Sequence, residues 1–169
     1  MQPLSDSDKQ EYLRRHLRHR LTLLQTLRER KRTGYTYAQQ GDIYRCVKDS
    51  NLMAVRLLMD FAGLKAEVTD SKPALCCAPR RTGAKYADDV KIDQFIGHLL
   101  SPADVPDEHK RTLAGVYLRA DKELAHLTTR FNDEFNQEDA LIDAATAVEQ
   151  LLERHLYAPS GEPLPPMDA

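Results

Sequence analysis

An all-α fold, a single helical bundle of about five helices, follows from three observations. Apolar residues recur at helical spacing in four long segments, alternating β pattern is scarce, and glycine and proline punctuate the chain between those segments. The 169 residues, 41% hydrophobic and 30% charged, suit one domain with a sizeable core.

The first helix is expected from about Ser7 to Arg32, with Leu13, Leu17, Leu21 and Leu24 as its apolar stripe and Gly34 placed to end it. A second is expected from about Asp42 to Ala62. Ile43, Val47, Val55, Leu58 and Met59 are its inward candidates, Gly63 is its stop, and Asp49-Ser50-Asn51 weakens its middle. Pro73, Pro79 and Gly83 make residues 64–86 read as an irregular connection. Asp88 or Asp89 starts a short helix through Val90, Phe95, Ile96 and Leu99, and Ser101-Pro102 is a further start signal. Pro106 suits the first turn of a long helix ending near Phe131. A last helix from about Gln137 to Tyr157 turns Leu141, Ala144, Val148, Leu151 and Leu152 inward. Residues 1–158 therefore form one bundle domain, and 159–169, rich in proline and small residues, form a flexible tail.

Charge is unevenly spread. Lys9 to Arg32 carries nine bases against two acids, whereas Arg119 to His155 carries nine acids against four bases. A basic first helix attracts nucleic acid or docks on an acidic surface of the same or another protein. Arg14, Arg15 and Arg18, with Arg130 further on, are the candidate phosphate contacts. Three cysteines, two of them adjacent, offer no disulfide framework or zinc spacing. With no signal-peptide character at MQPLSDSDKQ and no apolar stretch of membrane-spanning length, a cytoplasmic, membrane-free protein is expected.

The candidate reaction site lies in the long helix. Arg119 and His126 are seven residues apart, nearly two turns, so they share a face about 10 Å apart along the axis. Glu123, four after Arg119 and three before His126, can pair with either. These three fall on a polar band beside the core stripe of Leu113, Val116, Ala120, Leu124, Leu127 and Phe131. Arginine holds phosphate bidentately and histidine moves protons near neutral pH. The same residues also make an ordinary ion-pair ladder, worth about 0.2–0.5 kcal/mol per pair.

The run RADKELAH, Arg119 to His126, resembles the arginine-x(4–6)-histidine signature of HEPN domains, all-helical modules of this size. The resemblance spans about Tyr37 to Tyr157. It implies a metal-independent ribonuclease without a cofactor, acting as a homodimer with both motifs across a shared cleft. In that chemistry a 2′-hydroxyl attacks the adjacent phosphate while His126 moves the proton and Arg119 holds the nonbridging oxygens. Glu123 orients His126. One histidine does not serve both sides of phosphorus, so the catalytic reading requires a second subunit. Other members of the family are non-catalytic binders, and the alternative reading is a helical module that interacts with a protein partner or with nucleic acid.

Glu123 and His126 also have the E-x-x-H spacing of helical di-iron bundles. No second copy of that motif occurs, and Asp60, Asp88, Asp89 and Glu149 are the only acids nominated to complete it, so no metal is expected.

Overall fold

The computed structural model describes residues 4–32, 37–79, 90–125 and 138–165. The fold is a mostly helical bundle of about five helices. Its first arm comprises α1 (Asp6–Glu11), a π-helical segment (Tyr12–Leu17) and α2 (Arg18–Arg32). Ser5 starts it with a capping box. Its hydroxyl accepts from Asp8 N–H, and the Asp8 carboxylate accepts from Ser5 N–H, each at 3.2 Å. The expected leucine stripe is buried and extends to Leu27.

Helix α3 (Tyr37–Ala62) runs unbroken through Asp49-Ser50-Asn51. Asn51 is buried there, and its amide donates to the Leu23 and Leu24 carbonyls of α2 at 3.3 and 3.0 Å. Expected to weaken the helix, Asn51 instead fastens it to a neighbour through its NH2 group, while its buried Oδ1 has no partner among the described residues. Ile43, expected inward, is 52% exposed.

The end of α3 is closed by residues distant in sequence. Lys91 Nζ donates to the Asp60 carbonyl (2.8 Å), Ile92 N–H to Phe61 (3.0 Å) and Leu100 N–H to Ala62 (2.9 Å). These donors satisfy carbonyls that a helix terminus leaves open. Gly63 follows at φ +90°, and a Cβ there would lie 2.7 Å from Leu99 Cβ. Both the backbone conformation and the close approach require glycine.

The irregular connection expected over 64–86 is corrected in its first part. Residues Leu64–Thr69 (β1) and Lys72–Cys77 (β2) form an antiparallel hairpin that pairs Leu64 with Cys77 and Thr69 with Lys72. Asp70 and Ser71, at φ 51° and 65°, supply the two left-handed positions of a tight hairpin turn. A two-stranded sheet has only edge strands, so it tolerates Pro73, which had argued against a strand. Residues 80–89, including Asp88 and Asp89, lie outside the described residues.

Helix α4 (Asp93–Ile96) is a single turn ended by Gly97 at φ 83°. Ser101 caps a 3-10 turn, Pro102–Asp104, and Pro106 leads into α5 (Asp107–Ala125). The last arm is α6 (Glu138–Leu152), a second π segment (Glu153–Tyr157) and α7 (Ala158–Ser160). The segment from 159, expected as a flexible tail, is described as far as 165. The helix passes Pro159 to Ser160, Leu164 packs on the core, and Arg14 holds Glu162 through two hydrogen bonds of 2.8 and 3.3 Å. Tyr157 donates to the Leu13 carbonyl at 3.2 Å, joining the two π segments. Helices α2, α3, α5 and α6 enclose the core, and the hairpin packs on α5.

Candidate functional site

Of the expected reaction site, the structure places Arg119. This residue is 5% exposed on α5, between Val116 and Ala120, which are fully buried. It was expected on a polar band beside the core, but its side chain is buried. Lys48 of α3 lies within electrostatic reach. Its ammonium pKa is held below the ordinary value by burial and then by the Arg119 charge, against the opposing pull of Asp49 and Glu138. Tyr44 of α3 donates to the Glu138 carboxylate of α6 at 2.7 Å, and burial followed by that contact raises its phenol pKa. The corner thus brings together two cations, Arg119 of α5 and Lys48 of α3, with Glu138 of α6 near Lys48. Glu123 lies on α5, but its side chain is outside the described set, and His126 and Arg130 lie outside the described residues.

One turn from Arg119 the α3–α5 seam is polar. Arg56 binds Asp121 at 2.7 Å and approaches Asp60 at 4.0 Å, while Tyr117 donates to Asp60 at 2.8 Å. The Arg56 guanidinium also lies 6.0 Å from the Tyr117 ring centroid. These mutual contacts use the seam's charges internally, and Asp60 is committed to them. Among the described residues, no three His, Cys, Asp or Glu side chains gather as a metal-binding group. All three cysteines are free.

The nucleic-acid candidates divide. Arg14 is tied to Glu162, and Arg18 lies off the groove described next. Arg15 lines an open groove of about 640 Å³ between the first arm, the end of α3 and the Val90–Lys91 segment. Its contact with Glu11, 3.4 Å between two exposed side chains, is worth little in water. His16, His19, Arg20 and Lys91 complete a basic rim, and Asp60 is the one acid lining it among the described residues. The wall is aromatic. Tyr12 stacks on Phe61 at 6.0 Å between centroids, and the exposed His16 ring lies 5.4 Å from Tyr12.

His16, His19, Arg20 and Lys91 were not among the expected contacts, although a signal for the first three was present. Tyr12, His16 and Arg20 are spaced by four, as are Arg15 and His19, which puts them on neighbouring rows of one helical face. Arg14 and Arg18 make a separate row. Lys91 is brought in only by the cap it forms on α3. No family model, curated protein or solved structure matches the chain. The HEPN resemblance therefore stands on the run from Arg119 to His126.

Proposed function

We propose that this protein is a non-catalytic helical module that binds single-stranded RNA in the basic groove of its first arm. The observation that carries the proposal is the joint presence of Arg15, Arg20 and Lys91 on the rim and the Tyr12 and His16 rings in the wall, backed by buried Phe61. Cations neutralise the backbone phosphates, and planar rings accept unstacked bases without reading their sequence. A single strand presents both groups at once, whereas a duplex keeps its base faces stacked.

The ribonuclease reading asks Arg119 to meet a nonbridging phosphate oxygen. At 5% exposure, Arg119 favours a fastening role among α3, α5 and α6. The homodimer belongs to that reading, since a single His126 requires a second motif across the cleft.

Fluorescence anisotropy with a labelled, mixed-sequence single-stranded RNA tests the proposal. Three permanent cations predict a log-affinity against log-salt slope of about −2. The double variant Arg15→Glu/Arg20→Glu is expected to bind at least about tenfold more weakly at low salt, with unchanged circular dichroism and Tm. Unaltered affinity in that variant overturns the groove. The RNA is expected to remain intact without added metal. Cleavage that disappears in both Arg119→Ala and His126→Ala would restore the nuclease.

A further inference from the structure

On the other side of the first arm, a second cleft of about 620 Å³ runs between α1, the first π segment, the α4 turn and the chain from Arg154 to Glu162. Leu13, Phe95, Ile96 and Leu156 give it an apolar wall. Its lining holds two acids, Asp6 and Glu162, and two cations, Lys9 and Arg154, and Arg14 beside Glu162 leaves one cation in excess. Asp6 lies 3.8 Å from Lys9, and Glu162 is held by Arg14 at 2.8 Å, so both lining acids face a cation already. The exposed Arg154 has no acid partner among the described residues.

His98 and His155 stand on the same cleft. The Nε2 atom of His155 is sealed from water and has no hydrogen-bond partner among the described residues. A buried polar atom in that state is destabilising, and a polar ligand group that reaches it relieves that cost. Behind the imidazoles, Asp104 is held as a carboxylate. The Ser101 N–H (2.8 Å) and hydroxyl (2.9 Å) both donate to it and keep its pKa below the ordinary value. Arg154, His155 and Leu156 all belong to the second π segment, a helical irregularity that widens the turn and recurs at functional sites.

We infer that this cleft binds a small amphipathic monoanion, a carboxylate on an apolar body, with the carboxylate at Arg154 and the imidazoles and the body against Leu13, Phe95 and Leu156. The volume lies within the range of small-molecule sites, and one unmatched guanidinium balances one negative charge. The inference is independent of the RNA groove, whose lining shares no residue with this cleft.

Octanoate is a suitable probe, with octanol as the uncharged molecule of the same length. Imidazole NMR signals of the full chain are followed as each is added, and calorimetry gives the affinities. Octanoate is expected to shift the His98 and His155 signals saturably and to bind at least about tenfold more tightly than octanol. In Arg154→Met, an exposed substitution, octanoate affinity is expected to fall at least about tenfold while RNA binding is unchanged. Absence of a saturable shift, equal affinity for octanol, or full affinity in Arg154→Met each overturns the inference.

Discussion

Arg119 and the Arg15–Arg20 pair are the same residue type on helices of one small bundle, yet their surroundings are opposite. At the α3–α5–α6 corner the guanidinium is 5% exposed and faces a second cation, Lys48, whose charge is itself disfavoured by burial. Along the first arm the arginines are exposed and border an open groove whose wall is aromatic. A desolvated charge is costly without partners and is therefore committed to the fold. An exposed one keeps its hydration until a polyanion displaces counterions, and is therefore available for binding. Exposure, more than residue identity, separates scaffold from site.

The strongest way to break this comparison is at the ion pair between Arg28 and Glu149, where two hydrogen bonds of 2.9 and 3.3 Å join α2 to α6. Arg28→Met leaves Glu149 buried without a cation, with its Gln25 hydrogen bond alone remaining, at a cost of about 3 kcal/mol. For a chain of this size that corresponds to a Tm loss of roughly 6–12 °C. The pH dependence has a definite sign. Burial raises the Glu149 pKa, with Arg28 opposing it, so the folded state holds more protons than the unfolded one in the window between the two pKa values. Acidification through that window therefore favours folding, and more strongly in the variant, where the opposing charge is gone. The Tm deficit of Arg28→Met should narrow from pH 7 to pH 5, and a constant deficit would contradict the assigned burial.

Next in size is Arg119→Ala, which removes a buried stem as well as a charge and should cost about 2 kcal/mol. RNA affinity should stay within about twofold of wild type, well under the tenfold that marks 1.4 kcal/mol of binding. Collapse of binding with the fold retained would move the site from the groove to the corner. The Arg15→Glu/Arg20→Glu variant should do the reverse, losing affinity and keeping Tm. The smallest expected effect sharpens the contrast within the corner itself. Because both burial and Arg119 disfavour the Lys48 charge, Lys48→Met should raise stability, by about 0.5 kcal/mol given that the side chain is half-buried. A fall in Tm would show that Lys48 is instead the partner the corner depends on.

Much of the scaffold was legible because helical periodicity is written within single segments. The leucine stripe of the first arm, the inward residues of α6 and the stop at Gly63 all stand where spacing and conformational preference place them. The β-hairpin was obscured by Pro73 and by strands whose burial does not alternate. The anchored segment after Tyr157 was missed because its composition is that of a tail, and the Arg14–Glu162 contact joins residues 148 positions apart. For the candidate site, the sequence drew attention to the basic first arm, choosing its cations by local density. Arg14, a candidate phosphate contact by sequence, is paired with Glu162, and Lys91 reaches the groove only through its contact with the Asp60 carbonyl, which the sequence does not signal.

Local chemistry therefore determined which segments are helical, where they start and stop, and that one end of the chain is basic, because capping, propensity and periodicity act over a few residues. Which charges are buried, which face a groove and which are neutralised depended on packing. Desolvation and ion pairing at Arg119, Glu149 and Arg14 are set by neighbours from other helices, at distances that spacing along the chain does not encode.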